Sequence, residues 1–410
     1  MKPYAVPLPR LGMDLLSEDA QLPAGCVRYA VNVEIDRDGQ FAARGGFQRK
    51  LAGPGFVAIG AFAGRCWVQQ GARVCWLDVD RFTLEPLLDA GGVQPVAACE
   101  YNGALWMATP GGLRQVQAGS WQVQRAPVLP DVRPQLRATD QGRLSPGRYG
   151  VALSVVDEHG VESGAVWLGS VQTRAGLALT GLPVIPGRRW QVYVTPADGD
   201  VLYAAGRFDA LLPRLAVDAP QGQLCETMGL QPLPGGQAIC AKGARLYVAR
   251  DDVLLFSRPF RPWLFHPAQD FVPFVGRVRF CAALAGGVFV ADARGVWWLA
   301  GDDPAQAQLV QASPSLAVAD SARVLPAGAA LELAQVSSDC VLWLSADGYM
   351  LGLGDGSVRA LEPGRLALDA NGQGRSVFVR RAGRSQVVTL TAGYEPRAVM
   401  RPLGLAQDLY

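Results

Sequence analysis

The sequence predicts an all-β protein: a β-propeller of five to seven blades carrying a small inserted β-sandwich. Three observations lead there. A strand-pair pattern recurs about every 40 residues, the spacing of propeller blades. The recurrence breaks once, over a stretch of about 95 to 100 residues that fits one small sandwich. The 410-residue chain is 50% hydrophobic and holds 48 Gly and 29 Pro, which favours many short strands and tight turns over long helices.

Each copy of the pattern is a small-residue turn, a short apolar strand, a polar or Gly-containing turn and a second apolar strand. It reads GRCWVQQGARVCWLD around Cys66, NGALWMATPGGLRQV around Leu105 and KGARLYVARDDVLLF around Leu246. Further copies are AGGVFVADARGVWWL near Val288 and SDCVLWLSADGYMLGL near Leu342. Alternation within residues 245–249 (RLYVA) and 376–380 (SVFVR) lets every second side chain face a core. A hairpin from Asn32 to Phe47 adds a further blade if it pairs with strands near Val387 to Leu390, which is why the blade count stays open.

Pro-rich segments bracket the interruption, APVLPDVRP before it and DAPQGQLCETMGLQPLPGG after it. The predicted organisation is an extended N-terminal arm (1–25), a first propeller part (26–129), the inserted sandwich (130–222), a second propeller part (223–398) and a C-terminal arm (399–410). A structureless loop as long as the insert would be abnormal. Both arms lack a strand pattern, so their expected anchors are neighbouring subunits or the subunit's own blades.

Charge and cysteine usage narrow the partners. With 38 basic against 36 acidic residues the net charge is +2, and no run of five or more like charges occurs. A patch gripping nucleic acid through its phosphates is therefore not expected, although a lumen through which DNA slides is compatible with this balance. Lys2, Lys50 and Lys242 are the lysines and the other basic residues are arginine, a bias given little functional weight. Residues 1–25 hold no apolar signal core, and no stretch approaches 18 uninterrupted apolar residues, so a soluble chain without a membrane-spanning segment is expected. The eight cysteines form no CxxC pair and read as small buried hydrophobes; Cys66 and Cys75 are spaced so that they could face one another across a hairpin, with a free, buried pair as the default reading.

No residue is assigned as catalytic, cofactor-binding or metal-ligating, and no cofactor is expected. His159, in a polar hairpin turn, and His266, in an aromatic loop, sit in no recognisable motif. No GxSxG elbow, Walker A loop, HExxH helix or EF-hand loop is present. The segment 352–356 (GLGDG) reads as a β-turn, and 345–348 (SADG) lacks the Asp-to-Gly spacing of a sialidase Asp box. Asp36, Asp38, Asp251, Asp252, Asp302 and Asp303 sit at turns, where their side chains bond their own backbone.

Two ordered segments go further. Asn32 to Phe41 (NVEIDRDGQF), continuing to RGGF at 44–47, resembles the opening of the tail nozzle proteins of short-tailed bacteriophages, the tail tubular protein B type. From Leu233 to Asp303 the order RLYVA, LFSRP, FHP, GVFVAD and GVWWLAG is similar to the middle blades of the same family. Within the insert, LSPGRYGVAL (144–153), VVDEHGVES (155–163) and RWQVYVT (189–195) resemble a fibronectin type III-like sandwich, with Trp190, Val192 and Val194 on one face and Gln191 and Tyr193 on the other.

The resemblance implies a structural virion protein of the tail, a nozzle or tail-tube component and not an enzyme. It implies a homo-oligomeric ring, commonly a hexamer, around the channel for genome ejection. Adaptor and fibre proteins would be its neighbours, double-stranded DNA would pass without tight binding, and assembly would occur in the host cytoplasm. Known nozzle proteins are much longer, so fibre-docking domains are expected to be missing. The alternative is a glycan-binding or glycan-degrading propeller of a phage tail or bacterium. Degradation requires two carboxylates about 5 to 9.5 Å apart, and binding would use Trp263 and Phe265 in RPFRPWLFHP as exposed aromatics. A subunit interface is the preferred reading of those two residues.

Overall fold

The computed structural model describes residues 11–28, 30, 33–35, 40–43, 49–51, 53, 55–209, 215–217, 222–361, 363–381 and 384–392. The chain is 51% strand and 3% helix. Of the six four-stranded sheets among the described residues, five run up and down in chain order as propeller blades and the sixth belongs to the inserted sandwich. The chain divides into two compact units, Gly53–Pro273 and a second made of Met1–Ala52 with Phe274–Tyr410.

The first unit holds blades 1 to 3 and the insert. Blade 1 is Phe56–Phe62, Arg65–Gln70, Arg73–Asp78 and Thr83–Asp89; blade 2 is Ala97–Tyr101, Ala104–Thr109, Gly112–Gln117 and Val123–Gln124. Blade 3 is Ala238–Lys242, Arg245–Arg250, Val253–Phe256 and Phe271–Pro273. Every residue of Ala104–Thr109 is buried. Side chains alternate along a strand, so Leu105 and Met107 pack with Trp67, Val74 and Trp76 of blade 1. Ala104, Trp106 and Ala108 turn the other way, onto Ile239, Leu246 and Val248 of blade 3. Burial on both faces is why the sequence copies read as solid apolar runs.

The insert is a two-sheet sandwich. One sheet pairs Gln135–Thr139, Gly176–Thr180 and Leu215–Val217; the other pairs Val166–Thr173, Gly147–Asp157, Arg188–Val194 and Tyr203–Phe208. Tyr149, Val151, Leu153, Leu177, Leu179, Trp190, Val192 and Val194 fill the space between them, as the alternation in RWQVYVT predicts. The Trp190 indole N–H donates to the Pro183 carbonyl at 2.8 Å, and the Tyr149 hydroxyl donates to the Ser145 carbonyl at 2.8 Å. Trp190→Ala is expected to cost about 3–5 kcal/mol of unfolding free energy, read by urea denaturation. A loss under about 1 kcal/mol would show that this core collapses around the gap.

The second unit holds blade 4 (Phe280–Leu284, Gly287–Asp292, Gly295–Ala300, Gln308–Ser313) and blade 5 (Arg323–Leu325, Cys340–Ser345, Gly348–Gly352, Val358–Ala360). Phe289 joins them, its ring centroid 4.4 Å from Trp298 and 5.7 Å from Trp343. The far face of blade 5, with Cys340, Leu342 and Leu351, is covered by helix Ala327–Ala334 and by Phe378 and Val387. These last two belong to a long hairpin, Gln373–Arg381 with Arg384–Ala392. Residues 11–15 are tied within this same unit: the Leu15 N–H donates to the Arg365 carbonyl at 2.7 Å, and Arg365 Nη1 donates to the Leu11 carbonyl at 2.6 Å. The C-terminal arm, 399–410, lies outside the described residues.

Two points left open in the sequence are resolved and one expectation, the exposure of Trp263 and Phe265, is corrected. Cys66 lies opposite Leu77 and Cys75 opposite Val68, so the hairpin register offsets the two thiols, and no disulfide is formed among the described residues. Trp263 and Phe265 are buried in the cluster of blades 2 and 3, not exposed, because residues 264–265 pair as a short strand with 231–232 and draw the loop inward. Val33–Ile35 pairs with Phe41–Ala43 as a separate two-stranded sheet, and Gln373–Arg381 with Arg384–Ala392 as another, so among the described residues these hairpins do not complete one blade. The turn between Val33–Ile35 and Phe41–Ala43, with Asp36 and Asp38, and the RGGF motif lie outside the described residues.

Candidate functional site

The first unit contains a cavity of about 380 Å³ lined by blade 2, the sandwich turn at 159–162 and the loop 260–264. Its wall is a row set by strand register: Trp106 stands opposite Gln115, and Gln115 opposite Gln124. Residues directly opposite on adjacent strands share a face, so an indole and two carboxamides line up side by side. Trp106 packs on Trp263 with ring centroids 4.5 Å apart and planes at 56°. Its indole N–H donates to the Tyr101 carbonyl at 3.3 Å.

On the sandwich side the Asp157 carboxylate shapes the turn, accepting the N–H groups of His159 at 3.0 Å and Val161 at 2.8 Å. The next residue, Glu162, faces the cavity. Its Oε1 accepts three hydroxyls, from Ser154 at 2.6 Å, Tyr193 at 2.6 Å and Thr227 at 3.0 Å. Burial, and then the bond to Glu162, push the Tyr193 phenol well above its usual pKa, so it stays a donor. Three donors on one oxygen fix the carboxylate and leave Oε2 as its remaining acceptor.

The loop side carries Phe260, 85% exposed, and Arg261, whose Nη2 pairs with Glu226 at 2.6 Å. The backbone of Phe260 is left-handed, at φ 57°. That conformation is costly for a bulky residue. It is held by the Phe260 N–H donating to the Ala244 carbonyl at 2.9 Å.

A different surface marks the second unit. The hairpin Gln373–Arg381 with Arg384–Ala392 has two faces, and its inner one carries Phe378 opposite Val387. Ser376 and Thr389 also turn inward: the Ser376 hydroxyl donates to the Ser321 carbonyl at 2.6 Å, and Tyr349 donates to the Thr389 hydroxyl at 2.8 Å. On the outer face Val377 stands opposite Val388, and Leu390 lies two residues further along. Val377 is 52% exposed and Leu390 72%.

Of the residues singled out from sequence, His159 and Trp263 line the cavity and the others fall elsewhere. His266 caps its own loop, its N–H donating to Asp270 Oδ2 at 2.6 Å and its Nδ1 accepting the Ala268 N–H at 3.3 Å. The 352–356 segment is a turn in which Asp355 Oδ1 accepts the Ser357 N–H at 2.9 Å. At 345–348 the Ser345 hydroxyl donates to the Gly348 carbonyl at 2.9 Å, again a turn. Among the described residues no group of three or more His, Cys, Asp or Glu is placed to hold a metal ion, and no helix is long and apolar enough to cross a membrane.

No family model and no curated protein matches the chain. Among solved structures it is similar to the extracellular domain of a proposed one-component system from B. thetaiotaomicron, at 10% identity and TM-score 0.24, covering 88% of this chain and 58% of that one. It is also similar to apo AztD from Citrobacter koseri, at 13% identity and TM-score 0.36 with 84% of each chain covered. A third is Hsv2p of Kluyveromyces lactis, at 9% identity and TM-score 0.26, covering 77% of this chain and 78% of that one. Likenesses at this level bear on neither activity nor partner. The class of the protein, a β-propeller with an inserted sandwich, follows from the strand pairing itself.

Proposed function

We propose that this chain is a structural component of a bacteriophage tail, a nozzle or tail-tube subunit whose blades form a rigid segment of an oligomeric ring around the channel for genome ejection. The ordered segments at 32–47 and 233–303 are the sequence support. The observation that carries the reading is the outer face of the hairpin, where Val377, Val388 and Leu390 are exposed on two paired strands of nine residues each. Symmetric assemblies cover such faces with another copy of the chain. A ring built this way is a passive conduit that meets adaptor and fibre proteins at its ends. DNA passes through without being gripped, in keeping with a net charge of +2.

The glycan-degrading alternative finds no support in the cavity. Glu162 is the one carboxylate among its lining residues, so the pair that hydrolysis needs is not assembled there. Electron microscopy of the purified full chain, and of a tail that contains it, is expected to show closed rings of rotational symmetry. Particles that stay monomeric at every concentration, with no ring in the tail, would overturn the proposal.

A further inference from the structure

We propose that the cavity between blade 2, the 159–162 turn and the 260–264 loop binds a neutral saccharide. The carboxamides of Asn102, Gln115 and Gln124 line it and make no side-chain hydrogen bond to any described residue. Each offers both a donor and an acceptor. The Glu162 carboxylate adds a fixed acceptor, since its three hydroxyl partners all sit on Oε1. Trp106, Trp263 and Phe260 also line it, the two indoles nearly wholly buried at 2% and 5% exposure and Phe260 exposed. The Trp106 indole N–H is already spent on the Tyr101 carbonyl and its ring is buried, so the apolar surface a ligand meets is chiefly the Phe260 ring.

An exposed flat ring beside several bidirectional hydrogen-bonding groups matches a sugar, which presents C–H patches and hydroxyls on one ring. Other ligand classes fit worse. A phosphate or nucleic acid needs unpaired cations, and Arg261 is paired with Glu226 at 2.6 Å. A cationic ligand would meet Arg261 beside the one carboxylate. A purely apolar ligand would bury the three carboxamides without partners, which costs free energy for each. The volume, about 380 Å³, is within the range of small-molecule sites.

Phe260 supplies an independent argument. A large aromatic side chain 85% exposed, on a backbone at φ 57°, adds nothing to packing and costs strain. Strain of this kind persists where the surroundings hold it for a purpose, and a ring at the cavity mouth is placed to stack on a bound sugar.

The test is saturation-transfer NMR and calorimetry on the full chain with glucose, galactose, N-acetylglucosamine, maltose and lactose, using choline and inorganic phosphate as charged probes. At least one sugar is expected to bind saturably, with a Kd of about 10⁻³ M or tighter, and neither charged probe should compete with it. Gln115→Ala is expected to weaken binding at least about tenfold with the melting temperature held. Phe260→Gly removes the ring and the backbone strain together, so it should bind at least about tenfold more weakly while unfolding no more easily than the parent. Oligomers of the same sugar form the last arm. A gain of more than about tenfold over the single sugar marks a polysaccharide as the source, and equal affinity marks the free sugar. No saturable binding by any sugar, unchanged binding in both variants, or displacement by choline or phosphate would overturn the proposal.

Discussion

Gly164→Ala loses about 3 kcal/mol of unfolding free energy, the upper end of what an overpacked site costs. A methyl group at this position would lie 1.8 Å from the Leu230 carbonyl oxygen and 2.7 Å from its carbon. Both are main-chain atoms, so no rotamer change relieves the clash. The backbone there is pinned: the Ala165 N–H donates to Thr227 O at 2.9 Å and the Gly229 N–H to Ala165 O at 3.1 Å. Moving it drags Thr227 off the Glu162 carboxylate, so the cavity loses its order along with the fold. Gly160, four residues earlier, is the control. It has φ +81°, and a methyl group added there would meet no other atom within 4 Å, so alanine costs only the backbone strain, about 1 kcal/mol. Urea unfolding of the two variants separates them, and equal midpoints would show that the 227–230 segment yields freely.

The second large effect concerns assembly. Val377→Lys combined with Val388→Glu is expected to convert rings into monomers, read by analytical ultracentrifugation. The two positions are directly opposite in the hairpin register, so the new charges face each other and the hairpin keeps its pairing. Phe378 and Val387, which hold the hairpin on blade 5, point the other way and are untouched. An unchanged oligomer would place the ring contact elsewhere, and a monomeric parent would remove the premise.

Much of the fold was legible because its signals are local. Each blade announces itself as two apolar runs around a turn, and RWQVYVT shows its two faces by simple alternation. The sandwich was readable from the length of the gap between Leu105 and Leu246. What escaped is what distant pairing creates. Asn102, Gln115, Gln124 and Glu162 carry no motif, and they meet because blade 2 is in register and the 157–161 turn folds against it. Trp263 and Phe265 looked like loop aromatics; only the two-residue pairing of 264–265 with 231–232 buries them. The exposed aromatic of that loop is Phe260, marked in sequence by nothing but the prolines on either side, Pro259 and Pro262. Helix Ala327–Ala334 was not anticipated, although Pro326 at its N-cap is a weak start signal.

The strand Ala104–Thr109 gives its odd residues to one core and its even residues to another. Blades 1 to 3 therefore have no independent way to open, since exposing either core strips side chains from the strand both depend on. Their amide protons are committed to a single cooperative event, and a pull on one blade is felt by its neighbours before any of them gives way.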